Sequence, residues 1–190
     1  MPSVESATLG SEDLDLVTRH RYGDEQAFEE LYGRYEPLVY NLALRMTGDR
    51  DHAADLAQEA FLRIHGNLAS YRGRSSLKTW VFQVALNCFR SRLRRRGWRR
   101  RAVEPEEPLE RLADARRDPE SRLLAKDAGE RVQAALALLP VPFREAVVLR
   151  DLQGLSYREI ARICKVRIGT VRSRLARGRE RLRQLLEGAE

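Results

Sequence analysis

The sequence predicts an all-α protein: two small helical domains joined by a flexible acidic linker. Three observations carry this prediction. Apolar residues recur at helical spacing over almost the whole chain, and no segment alternates apolar and polar residues as a strand does. The periodicity stops in AVEPEEPLERLADARRDPESR, where Pro105, Pro108 and Pro119 sit among seven acids and three arginines between Glu104 and Glu120. Proline and charge together are the composition of a tether. Hydrophobic residues make up 43% of the 190, enough to bury a core.

Several classes are excluded early. Cys88 and Cys164 are too few for a disulfide framework or a four-cysteine zinc site. His20, His52 and His65 show no ligand spacing, so neither a metal nor a cofactor is expected. No serine has the partner pattern of a nucleophile, so no catalytic residue and no small-molecule substrate is expected. No apolar run nears the roughly 18 residues of a membrane span. The start, MPSVESATLGSEDLDL, lacks the basic and apolar regions of a signal peptide, so a cytoplasmic location without membrane insertion is expected.

Charge points to the partner. Lys and Arg total 35 against 28 Asp and Glu, and all but Lys78, Lys126 and Lys165 are Arg. The planar guanidinium fork suits phosphate and guanine, although a GC-rich genome gives the same bias. Eight Arg and no acid lie between Phe89 and Arg101; ten basic residues and three acids lie between Ser156 and Glu187. Two basic module ends with an acidic strap between them suit a two-point nucleic-acid binder.

Taken in order, residues 1–18 are small, polar and acidic, and are expected to be disordered or frayed. Helical pattern then runs from about Asp24 to Arg96. Thr47-Gly48-Asp49 breaks it and caps the next helix, Asp51 to His65. On that helix Ala53, Leu56, Ala57, Ala60 and Ile64 form an apolar side. Asp51, Asp55, Gln58, Glu59 and Leu62 gather opposite, either to dock a basic partner or as an ordinary solvated face. The loop GNLASYRGRSS, Gly66 to Ser76, sets Tyr71 among flexible basic residues, either for stacking on unpaired bases or as a simple anchor. The next helix starts at Ser75–Ser76. Its expected core face is Leu77, Trp80, Val81, Val84, Ala85 and Cys88, with a polar stripe of Thr79, Gln83, Asn87, Arg90 and Arg94.

The second module reads as a helix-turn-helix. Pro140-Val141-Pro142 separates two helices, with Pro142 suited to the first helical position. The helix Phe143–Leu152 stops at Gly154. Ser156-Tyr157-Arg158-Glu159 is a capping box ahead of Ile160, Ala161 and Ile163. A turn at Lys165-Val166-Arg167 leads into a long basic helix whose expected buried face is Ile168, Val171, Leu175, Leu182 and Leu186. Thr170, Ser173 and Arg177, flanked by Arg172 and Arg174, point away from that face, where a groove-reading helix needs its donors. Arg150, Arg158, Arg179 and Arg181 suit phosphates. A basic amphipathic helix lying on RNA or protein fits the same wheel, but the capped helix before it favours DNA.

Three segments resemble the bacterial sigma-70 family of RNA polymerase sigma factors, in its small extracytoplasmic-function (ECF) group. DRDHAADLAQEAFLRIH is similar to the family's core-polymerase-binding segment. SYRGRSSLKTWVFQVALNCFRSRLRRR resembles the −10 recognition and melting segment. LSYREIARICKVRIGTVRSRLARGRERLRQLL resembles the region 4 helix-turn-helix. The resemblance implies a tail over 1–18, region 2 over 19–100, an acidic linker over 101–125 and region 4 over 126–190. It implies contact with core RNA polymerase, through its β and β′ subunits, by Asp51, Asp55, Gln58, Glu59 and Leu62. It implies contact with the −10 element by Asn67, Tyr71, Arg72, Lys78, Trp80, Gln83, Asn87, Arg90 and Arg94, with Tyr71 and Asn87 where a flipped base is held and Phe82 beside Trp80 in the melting segment. Arg150, Ser156, Arg158, Thr170, Arg172, Ser173, Arg174 and Arg177 would read the −35 element. Promoter DNA and an anti-sigma factor are the further partners implied. Two departures stand out: Cys164-Lys165-Val166-Arg167 replaces the family's frequent Leu-Gly-Val-Pro, and Ala176 sits where some members carry a larger side chain. The competing expectation is a helix-turn-helix regulator that binds duplex DNA without polymerase.

Overall fold

The computed structural model of the chain describes residues 4–95 and 128–187, with side chains over 11–92 and 129–187. Among the described residues every regular element is helical. The first module holds α1 (Val4–Arg21), α2 (Glu25–Thr47), α3 (Arg50–Asn67), a 3-10 turn at Leu68–Ser70 and α4 (Leu77–Arg95). The second holds α5 (Ala128–Leu138), α6 (Val141–Val147, continued by a π-helical turn over Val148–Leu152), α7 (Tyr157–Cys164) and α8 (Ile168–Glu187). The acidic linker expected over 101–125 lies outside the described residues.

Local chemistry sets the helix ends. Asp24 caps α2 by accepting from the Ala27 amide at 3.3 Å. Gly48 ends it in the left-handed region (φ 74°), its amide donating to the Leu44 carbonyl at 2.8 Å. Asp49 then caps α3 through the His52 amide at 2.9 Å. Ser76 Oγ accepts from the Thr79 amide at 3.2 Å and starts α4.

The N-terminal segment differs from the frayed tail the sequence predicts: Val4–Arg21 is helix. Leu16 and Val17 are buried, and Asp13 is drawn in beneath Tyr35 and Arg34. The Tyr35 hydroxyl donates to Asp13 Oδ2 at 2.6 Å, and Arg34 Nη1 to Oδ1 at 2.7 Å. These partners lie some twenty residues downstream, so local composition does not reveal them.

On α3 the predicted apolar side is the buried side throughout. On α4 the burial is wider than the wheel predicts. Phe82, Leu86 and Phe89 are fully buried, whereas Trp80 and Val84 are only half-buried. The helix packs on α2 and α3 and also on α7 of the second module, so more than one of its faces is covered.

In the second module Pro140 is the cap of α6 and Pro142 its second residue, one position later than the sequence suggests. Val171 and Leu175 of α8 are buried as expected, Leu182 and Leu186 are half-buried, and Ile168 is exposed because it opens the helix at the turn. The modules touch along two seams: α5 and α6 lie against the C-terminal end of α2, and α7 lies against α4.

Candidate nucleic-acid interface

The outer face of α3 is exposed at Asp51, Asp55, Gln58 and Leu62, the last 71% accessible among polar neighbours. Glu59 is partly covered. It accepts from Arg63 Nη2 at 2.8 Å and from Arg92 Nη1 at 3.0 Å, while Arg92 Nη2 also reaches Asp55 at 3.2 Å. Burial alone would raise the Glu59 carboxyl, but the hydrogen bonds from Arg92 and Arg63 outweigh it and hold it below the ordinary value. Arg92, which the wheel leaves in an arginine run, thus ties the acidic face of α3 to α4.

The loop before α4 is more ordered than its composition suggests. Asn67 and Arg72 are exposed, and Asn67 Nδ2 donates back to the Arg63 carbonyl at 2.7 Å. Tyr71 is 5% accessible: its ring lies 5.7 Å from that of Trp80, its hydroxyl donates to the Ser75 carbonyl, and Arg21 donates to its own carbonyl. Tyr71 therefore anchors the loop in this structure, with Trp80 at the loop's edge. Along α4, Lys78, Gln83 and Arg90 are half-buried, Asn87 is exposed and Thr79 is fully buried. Arg94 belongs to the helix, but its side chain lies outside the described residues. Lys78 turns toward the Gln153 carbonyl in the turn after α6, Thr79 toward α7 and Arg90 toward α6, so this stripe is divided between solvent and the second module.

In the second module Ser156 and Glu159 complete both halves of the capping box: Ser156 Oγ accepts from the Glu159 amide at 3.3 Å and the Glu159 carboxylate accepts from the Ser156 amide at 2.8 Å. Burial works against the Glu159 carboxylate, but hydrogen bonds from Ser156 and Thr79, and the charge of Lys78, hold its carboxyl low. Lys165 adopts the left-handed conformation (φ 56°) that glycine takes most easily, so the turn closes with Lys at that position. Arg172, Ser173 and Arg177 are exposed on α8, Thr170 and Arg174 half-buried, and Ser173 Oγ donates to the Thr170 carbonyl at 3.0 Å. Arg158 is exposed. Arg150 sits over the Tyr157 ring at 5.3 Å and donates to the Leu155 carbonyl at 2.9 Å, which fixes the approach to the capped helix. Arg179 is held by Asp151 through two bonds, at 3.0 and 2.5 Å.

Sequence reasoning missed Arg144 and Glu145. Arg144 is 3% accessible and donates to the carbonyls of Met46, Ala137 and Leu139 at 2.5, 2.6 and 2.9 Å. Burial lowers its guanidinium to about 10. Glu145 is 2% accessible and receives Arg90. A charged pair inside the apolar run PFREAVVL was the available signal. Both thiols are buried and pushed up to about 11, first by desolvation, as inert packing requires.

Residues 31–99 match the family description Sigma-70 region 2, and residues 129–182 match Sigma-70, region 4. The ECF RNA polymerase sigma factor SigE of Mycolicibacterium smegmatis is 39% identical over 167 residues, 86% of this chain and 64% of that protein. The ECF RNA polymerase sigma-E factor of Escherichia coli K12 is 36% identical over 178 residues, 88% of this chain and 91% of that one. The chain belongs to the sigma-70 family, in its ECF group. Within the family its fold is similar to the sigma factor RpoE of Bartonella quintana, solved with the anti-sigma factor NepR (TM-score 0.66, 29% identity, 84% of this chain and 96% of that one). It shares its fold with CnrH, solved with the cytosolic domain of CnrY (TM-score 0.68, 22% identity, 94% and 99%). This sigma factor spans less than two thirds of the mycobacterial relative's length. Among the described residues no helix is long and apolar enough to cross a membrane, and no cluster of His, Cys, Asp and Glu suits a metal ion.

Proposed function

We propose that this ECF sigma factor binds core RNA polymerase through α3, engages the −10 element through α4 and the loop before it, and reads the −35 element through α8. As a sigma factor it directs RNA polymerase to promoters and is a non-catalytic subunit. The observation that carries the reading of α8 is its division of labour: Val171 and Leu175 are buried while Arg172, Ser173 and Arg177 stand exposed beyond a capped helix. That is what a major-groove reader requires. The exposed Leu62 within the acidic face of α3 supports a protein partner there, since an apolar centre with a charged rim is the anatomy of an interface. The β and β′ subunits are the partners assigned to it. Asn87 and Arg72, exposed on and before α4, support contact with the −10 strand. Tyr71, with its ring buried, supports that site by holding the loop. The domain bounds of this reading are 19–100 and 126–190, it works in the cytoplasm, and an anti-sigma factor acts by covering both modules' polymerase-facing surfaces.

Genomic run-off transcription with purified core polymerase, with and without the protein, tests this. New discrete start sites sharing two spaced elements are expected. Absence of new starts combined with tight binding to bare duplex DNA would overturn it in favour of a polymerase-independent regulator.

A further inference from the structure

Helix α1 is fastened to the start of α2 and to the middle of that helix. Asp13 accepts from Arg34 Nη1 at 2.7 Å and from the Tyr35 hydroxyl at 2.6 Å. Arg19 donates through Nε to Asp24 at 2.8 Å and through Nη2 to Glu30 at 3.0 Å. Leu16 and Val17 are buried between these two attachments. Leu14 follows the first attachment by one residue, and Arg21 follows the second by two. Leu14 and Arg21 are seven residues apart, two helical turns, so they share one face of α1. That face meets the loop ahead of α4. Arg21 Nη2 donates to the Tyr71 carbonyl, and a β-carbon on Gly73 would lie 3.9 Å from Leu14 Cδ2. Burial pushes the Tyr71 phenol up, and the charge of Asp13 on α1 adds to the shift.

We infer that Arg21 is a positioning residue for −10 recognition: α1 is a strut on α2 whose Arg21 holds the Tyr71–Arg72 peptide so that Arg72 faces the DNA strand, while Leu14 supports the turn at Gly73. The inference rests on the assignment of this loop to the −10 element proposed above. The Tyr71 amide donates to the Leu68 carbonyl at 3.1 Å and the Tyr71 hydroxyl to the Ser75 carbonyl, which fixes the ring and the start of the loop. The next peptide is held through its oxygen by Arg21. A peptide is planar, so holding the oxygen holds the plane, and with it the direction in which Arg72 leaves the chain. Gly73 then turns the backbone at φ 69°. Arg72 is left exposed, as a residue that contacts a strand must be. The attachments of α1 to α2 matter because Arg21 can fix the loop only from a support that does not itself move.

The test uses the full chain carrying Arg21→Ala or Leu14→Ala, with thermal melts to check the fold. Hydrogen exchange reads the loop amides from Tyr71 to Ser76 in the free protein. Anisotropy on holoenzyme reads binding of a fluorescein-labelled non-template strand carrying the −10 element mapped by run-off transcription. Both variants are expected to speed exchange in the loop, although Leu14→Ala changes no charge. Arg21→Ala is expected to weaken strand binding about fivefold, the loss of a charge-assisted hydrogen bond at an exposed site, with unchanged affinity for core polymerase. Arg21→Ala combined with Arg72→Ala is expected to lose no more than Arg72→Ala alone, because Arg21 acts through Arg72. Unchanged exchange in both variants overturns the inference. Additive losses overturn it too, and assign Arg21 a phosphate contact of its own. Strand binding by Arg21→Ala that equals wild type overturns the inference alone if Asn87→Ala still weakens it. If neither Asn87→Ala nor Arg72→Ala weakens it, the −10 reading of the loop and α4 falls as well.

Discussion

Gly178 of α8 lies so close to Val147 of α6 that a β-carbon on it would fall 2.8 Å from Val147 Cγ2 and 3.3 Å from the Phe143 carbonyl oxygen. This approach sets how α8 stands on its module, and hence which way the face carrying Arg172, Ser173 and Arg177 is turned. Gly178→Ala gains helix propensity of about 1 kcal/mol. It also forces a methyl group onto the short, branched Val147 side chain and toward the Phe143 carbonyl, and overpacking of this kind costs about 1–3 kcal/mol. The second effect wins. A lower melting temperature is expected, with weakened −35 binding; a melting temperature above wild type would show that α6 yields freely.

The face of α3 gives a prediction that separates binding from folding. Asp55 is exposed and its ion pair to Arg92 is 3.2 Å long. Exposed pairs contribute about 0–1 kcal/mol, so Asp55→Arg leaves the melting temperature nearly unchanged. It reverses charge two turns from Leu62 on the same exposed face and is expected to weaken binding to core polymerase markedly. Equal affinity for variant and wild type in a core-binding titration would remove α3 from the polymerase interface.

On α8, Arg177 and Arg179 are two residues apart and have opposite prospects. Arg177 is exposed, on the side away from Val171 and Leu175. Arg179 is bound at two points to Asp151. Arg177→Ala is expected to cost about 1–3 kcal/mol of −35 binding and to relax the preference at one base pair. Arg179→Ala should weaken binding evenly across sequences. Competition assays with holoenzyme on a set of single-base promoter variants read the difference, and an unchanged base preference for Arg177→Ala would assign Arg177 to phosphate.

A residue's role is legible in the sequence when its partners are local or its helix meets one core. The face of α3 was legible because Ala53, Leu56, Ala57, Ala60 and Ile64 meet one neighbouring core, which is what a helical wheel assumes. The capping box at Ser156 and Glu159 was legible because both partners lie within four residues. Helix α4 was read only in part: Phe82 and Phe89 are as buried as Leu77, and Thr79 is buried too, its hydroxyl meeting Glu159 of the second module, a contact that no wheel of α4 alone can show. Helix α1 escaped because Asp13 is satisfied by Arg34 and Tyr35 of α2, partners too distant in sequence for local composition to reveal. Arg144 and Glu145 stand next to each other in sequence yet serve different neighbours, Met46 and Arg90, and long-range pairing of this kind has no local period.

Acid should loosen the protein in a defined order. Glu59 and Glu159 both have carboxyls held below their ordinary values, by Arg92 and Arg63 in one case and by Ser156 and Thr79 in the other, each against the opposing effect of burial. A lowered carboxyl favours the folded state above the unfolded value, and that contribution disappears as pH falls through the folded value, because the unfolded chain then binds more protons. Stability should therefore be level from neutral to roughly pH 5 and decline below it. Glu159 bridges α7 to Thr79, so protonating it also weakens the seam between the modules, whereas Glu59 joins α3 to α4 within one module. Glu59→Gln is expected to lower stability at neutral pH and to flatten the acid decline, and Glu159→Gln to shift the pH at which the chain expands. Thermal melts and scattering over an acid series check both; a Glu59→Gln curve parallel to wild type through the acid range would show that the Arg92 and Arg63 contacts carry no linked proton.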